Sequence, residues 1–90
     1  MKTEISNLRL SLIFSDIEEE LNMACKKFHA YNSGHEGYAV IKEELDELWD
    51  EIKSKHRKQE MYNEAKQVAS TAIRFMHDIC IISDNPTGKL

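Results

Sequence analysis

Three carboxylates and an amide in this sequence are spaced so that they can share one ligand. Glu44 and Glu47 are three residues apart, and so are Glu64 and Gln67. On an α-helix, residues three apart are neighbours on one face. With Ile41 at zero on a helical wheel, Glu44, Glu47 and Glu51 fall at about 300°, 240° and 280°, while Glu43 (about 200°) points further out. With Met61 at zero on a second wheel, Glu64, Gln67, Thr71, Arg74 and Asp78 fall at about 300°, 240°, 280°, 220° and 260°. Each helix thus carries one polar shoulder. If the two shoulders meet, several carboxylates lie within a few ångströms and repel, so that some take up protons or a cation settles among them. Mg²⁺ suits an all-oxygen site that keeps waters and bridges phosphate oxygens, with Mn²⁺ as the alternative. A run of acids is more often a solvated helix face. The pairing of two shoulders across a short hairpin is what favours a site.

The elements that must position these groups are helices. Gly and Pro fall only at Gly34, Gly37, Pro86 and Gly88, leaving two long stretches without a breaker. The first helix is expected from about residue 4 to 30 on the apolar positions Ile5, Leu8, Leu12, Ile17, Leu21, Ala24 and Phe28. The alternation of Leu8, Leu10, Leu12 and Phe14 is a competing strand signal. The helix-favouring run 16–21 decides for helix. Ser33 followed by Glu36 reads as a capping box, so the second helix starts near Gly34 and runs to about Ser54. Its seam is Tyr38, Ile41, Leu45, Leu48 and Ile52. The third helix runs from residue 58 or 60 to about 82 on Met61, Ala65, Val68, Ala72, Phe75 and Ile79, with Met76 beside the seam. Asp84, Asn85 and Pro86 end it. The expected fold is all-α: one domain over residues 1–84, a tail over 85–90, and helical hairpins forming a four-helix-bundle-like core that a second copy completes.

The bulk composition narrows the function classes. A chain of 90 residues buries only about 60–65% of the surface its unfolded form exposes. Self-association as a homodimer or homotetramer is a common remedy. Sixteen acidic against twelve basic residues give a net charge of −4, which argues against a nucleic-acid polymer or an anionic membrane as partner. No apolar run approaches the length of a membrane span. The start, Met1-Lys2-Thr3-Glu4, leads into an amphipathic stretch and does not read as a signal peptide. Cys25 and Cys80 form no CxxC, so a reduced, cytoplasmic setting is expected.

Glu43-Glu44-x-x-Glu47, followed after sixteen residues by Glu64-x-x-Gln67, resembles the EExxE…ExxD motif of the MazG-like members of the all-α nucleoside triphosphate pyrophosphohydrolases. The stretches 35–49 and 64–75 look like the small MazG-like proteins of phages and bacteria, and the resemblance covers roughly residues 28 to 80. It implies hydrolysis of a (deoxy)nucleoside triphosphate to the monophosphate and pyrophosphate, with Mg²⁺ held by carboxylates. Carried over residue by residue, Glu44 and Glu47 match metal ligands of the first motif half, and Glu64 matches the ligand opening the second. Glu43 matches the remaining motif acid, completing the catalytic set. Gln67 stands where the motif has Asp. Its amide offers an oxygen to the metal but neither charge nor a general base. A helical nucleotide-binding or interaction module without turnover is the alternative that Gln67 raises.

Arg74, Asp78 and His35 are the candidate substrate-binding residues, weighed against plainer roles. Arg74 offers itself to phosphate, although an ion pair with Asp78 at i+4 is the simpler account. Asp78 lies about 16 Å by helical rise from Glu64, so it suits a more distant metal, ribose or base. His35, with Tyr31 and Asn32, flanks the loop entering the second helix; a cap or surface role is the plainer one. Trp49 offers a stacking face, with core or dimer packing as the commoner use. The cations 53–58 read as helix-end charge at least as readily as phosphate clamps. Cys25 and His29 have the i, i+4 spacing of a soft-metal pair but lack further ligands.

Overall fold

The computed structural model describes residues 3–81, and among these the chain is all-α, with no strand. Helix α1 spans Asn7–Lys27, α2 Gly34–Ser54 and α3 Lys58–Phe75, and α3 runs on into a π-helical turn, Met76–Cys80. No helix of the described residues is long and apolar enough to cross a membrane. The expected helix end at 84–86 and the tail 85–90 lie outside the described residues.

Local chemistry explains most of the boundaries. Ser6 caps α1 by accepting from the Arg9 N–H at 3.2 Å, so the helix begins three residues later than its apolar pattern alone suggests. Ser33 caps α2 through the Glu36 N–H at 3.1 Å. Glu36 reaches back, as a capping box requires, but one residue further than expected: its carboxylate accepts from the Asn32 N–H at 2.9 Å. The α2–α3 turn is closed by Arg57, whose guanidinium donates twice to the Glu51 carboxylate, at 3.2 Å each. His56 takes the left-handed conformation there, φ 54°, and its N–H donates to the Glu51 carbonyl at 2.9 Å. That geometry is the helix-ending turn usually filled by glycine.

α3 is the central element, with α2 antiparallel to it and α1 parallel to it. Gly37 near the start of α2 lies against Phe75 at the end of α3. Asp16 and Phe28 of α1 meet Tyr62 and Arg74 of α3 in the same order.

Two expectations about packing are corrected. The apolar line of α1 is not one face: Leu8 and Leu12 are exposed, whereas Leu21 and Ala24 turn inward. The five-residue step from Leu12 to Ile17 rotates the line by about 140°. Nor do α2 and α3 pack seam against seam. Their contact runs along the acidic shoulder and the near edge of the seam, so Gly37 is buried and Glu44 half-buried, while Tyr38 and Leu45 stay exposed. The reason is steric. At Gly37 an added Cβ would lie 2.5 Å from the Phe75 ring and 3.1 Å from the Tyr31 ring. A glycine there lets two aromatic rings enter against the helix backbone, and this rotates α2 toward its shoulder. Among the described residues, the only fully buried apolar side chains are Ala24 and Tyr31.

Candidate metal centre and adjoining cavity

The rotation of α2 brings the acidic shoulders together. Glu44, Glu47 and Glu64 each offer an oxygen, and these oxygens all lie within 4.8 Å of one another; no other such cluster of His, Cys, Asp or Glu occurs among the described residues. Glu44 and Glu47 come from consecutive turns of α2, and Glu64 faces them from α3. The Glu44 Oε2 is buried and has no hydrogen-bond partner, although buried polar atoms are nearly always paired. Burial pushes the Glu44 carboxyl up to about 7, helped by the hydrogen bond it shares with Glu47 and by the charges of Glu47, Glu64 and Glu43. Burial and then the charge of Glu47 also raise Glu64. This is a carboxylate set held at short range with no cation of the protein between its members. Oxygen ligands of this kind fit a hard divalent ion.

A cavity of about 380 Å³ opens beside Glu44, with α3 as its floor and α1 and α2 as its walls. Glu43, Glu44 and Gln67 line its acidic end, and Phe28, Tyr31 and Arg74 its other end. Arg74 is only 9% exposed. Its guanidinium lies over the Tyr31 ring at 4.4 Å and the Phe28 ring at 5.8 Å, and it donates to the His29 carbonyl at 3.2 Å. Stacking on two rings is a use of Arg that Lys cannot match. No ion pair engages Arg74 among the described residues, so the expected pairing with Asp78 does not form.

Two further residues complete the floor. Ser70 is 1% exposed and Thr71 is buried. The Thr71 hydroxyl bonds to the Gln67 and Val68 carbonyls at 3.0 and 2.9 Å, and its own carbonyl accepts from the Tyr31 hydroxyl at 3.3 Å. Burial raises the Tyr31 phenol, opposed by the nearby Arg74 charge. Ser70 was not singled out as a candidate. Its signal was a small hydroxyl side chain opposite the apolar seam, which marks a close approach of another helix.

The remaining candidates fall elsewhere. Asp78 accepts from the Tyr31 N–H at 3.1 Å and bonds His77 Nδ1 at 2.8 Å. Burial opposes its charge, but those two hydrogen bonds and the Arg74 field hold its carboxyl below the usual range. It lines a second cavity of about 400 Å³, with Cys25, His29 and His77, on the far side of the Phe28–Arg74 wall. His35 is exposed on the first turn of α2 and lines neither cavity. Trp49 is on the opposite flank of α2 under Lys53, which lies 5.5 Å from its ring. Cys25 and Cys80 are free thiols.

The arrangement defines an all-α protein with a carboxylate cluster at the mouth of a cavity whose far wall is a buried, unpaired cation. Comparison with family models, with curated proteins and with solved structures finds no match.

Proposed function

We propose that the protein is a Mg²⁺-dependent nucleotide pyrophosphohydrolase that converts a (deoxy)nucleoside triphosphate and water to the monophosphate and pyrophosphate. The observation that carries this reading is the convergence of Glu44, Glu47 and Glu64 around a buried carboxylate oxygen that lacks any donor. Those three carboxylates hold the metal, with Mn²⁺ as a substitute, and the Gln67 amide oxygen supplements them. Mg²⁺ bound there orients phosphate oxygens, neutralises developing charge and lowers the pKa of a bound water. The chain's own residues do the rest. Arg74, held flat between Tyr31 and Phe28, offers its free N–H groups to a phosphate or a base edge. Phe28 and the buried floor at Ser70 and Thr71 keep water from that end of the cavity. Glu43 takes the proton released by the attacking water. Reduced Cys25 and Cys80 suit a cytoplasmic setting.

The test is to incubate the protein with a panel of NTPs and dNTPs plus Mg²⁺ and to measure monophosphate and pyrophosphate together. Equimolar release, lost in Glu47→Gln, is expected. No product from any nucleotide, with the helical circular dichroism intact, removes the catalytic assignment.

Gln67 favours a second reading, a nucleotide-binding module without turnover, because an amide cannot act as a base. Calorimetry with Mg²⁺ and a non-hydrolysable triphosphate separates the two. Binding without product in the first assay selects this reading.

A further inference from the structure

The apolar seam of the α2–α3 hairpin is displayed on a flank that the chain does not cover. On α2, Tyr38, Leu45 and Trp49 are 64%, 51% and 55% exposed; on α3, Met76 is 59% exposed and Ala65 is exposed as well. In both helices the sides that meet, marked by Gly37 and Glu44 on α2 and by Glu64 and Phe75 on α3, lie about 90° round the wheel from these residues. Because the helices are antiparallel, both stripes emerge on the same flank. The cavity and α1 occupy the opposite flank.

We propose that this flank is an interface between two copies of the chain, related by a twofold axis. Four observations point to a second copy as the occupant. The first is area: the exposed aromatic, Leu, Met and Ala surface amounts to roughly 600 Å², at the top of the range for the largest patch on a monomer and near the ~800 Å² each partner gives to a standard interface. The second is self-complementarity: α2 presents large side chains, whereas α3 presents the row Ala65, Ala69 and Ala72. A twofold axis lays the ridge of one α2 into the shallow row of the other copy's α3, so one surface supplies both shapes. The third is charge. Two chains of net charge −4 meet across a locally neutral rim, because Lys42 pairs with Asp46 at 2.9 Å and Lys53 with Asp50 at 3.5 Å. The fourth is the slight core, Ala24 and Tyr31, which leaves the hairpin's main apolar content unburied in one copy.

The proposal is independent of the catalytic reading, since the carboxylates face the other way. It is tested on the full chain by sedimentation equilibrium over a wide concentration range, with thermal unfolding and the fluorescence of Trp49 recorded in parallel. The expected mass is at least twice the 10.5 kDa of the chain, with a melting temperature that rises with concentration and blue-shifted Trp49 emission in the associated form. Leu45→Glu, which places charge in the ridge, and Ala65→Leu, which fills the row without lowering helix propensity, should each cut the mass at least twofold. A wild-type chain that is monomeric at every concentration overturns the proposal. So does an oligomer whose mass neither variant changes. If the variants fail to fold, the wild-type mass and the Trp49 shift on dilution still decide.

Discussion

The two flanks of the α2–α3 hairpin are built in reverse of the usual order. The flank beneath α1 buries Ser70, Thr71, Arg74 and part of Glu44, whereas the opposite flank leaves Tyr38, Leu45 and Trp49 in the open. A hairpin packed for stability alone would do the opposite, since burying polar groups costs free energy unless each is paired. On the first flank most are paired: Thr71 within its own helix, Arg74 by rings and a carbonyl. The Glu44 Oε2 is the exception. An unpaired buried oxygen beside two other carboxylates is a cost that a bound cation removes. An exposed apolar seam is a cost that another protein surface removes. Both flanks therefore look toward something outside the single chain, one toward an ion and the other toward a partner surface.

The largest expected effect bears on the polar flank. Glu47→Gln and Glu64→Gln together should lower turnover by about 100-fold or more, equivalent to about 2.7 kcal/mol of barrier. In the absence of metal the same change should leave the melting temperature equal or higher, because it removes repulsion. A lower metal-free melting temperature would recast the cluster as structural. Gly37→Ala tests what rotates the helices: its methyl group meets the Phe75 and Tyr31 rings, and overpacking of this kind destabilises by about 1–3 kcal/mol. Urea unfolding measures it, and a neutral result would mean that α2 is free to shift.

The pH dependence follows from Glu44. Its carboxyl in the folded protein is raised from 4.5 to about 7, so between those values the folded state holds a proton that the unfolded state has released. Stability of the metal-free protein is then full below about pH 4.5 and falls as the pH rises through 7, by on the order of 2 kcal/mol. Mg²⁺ should reverse the trend, since it binds the deprotonated set. Thermal melts at pH 5 and pH 8, with and without Mg²⁺, check both signs. The smallest effect belongs to the hairpin end that both flanks share. His56→Gly relieves a left-handed residue and should stabilise by about 0.5–1 kcal/mol in the same melts.

Much of the architecture was legible in the residues. The bounds of α2 follow from Ser33 and Glu36 at one end and from the cationic segment 53–58 at the other. The carboxylates that converge are those whose i, i+3 spacing singled them out. Some signals were present but outweighed: Ser6 caps α1, yet the apolar pattern pulled the expected start to residue 4. The π-helical turn at Met76–Cys80 had no local signature. It places Asp78 so that it accepts the Tyr31 N–H, a contact 47 residues away in sequence that no spacing rule contains.

By itself, the sequence determined that there are three helices, that two of them carry a polar shoulder beside an apolar seam, and that Glu44, Glu47 and Glu64 can face one another. These are properties of a 3.6-residue period and of short-range hydrogen bonds, which residues a few positions apart settle among themselves. Only the tertiary structure decided which side of each helix meets its neighbour. That choice rests on Gly37 admitting the Phe75 and Tyr31 rings, and on Arg74 stacking between Tyr31 and Phe28. Such fits join residues about 40 positions apart and depend on shapes that a periodic pattern does not carry.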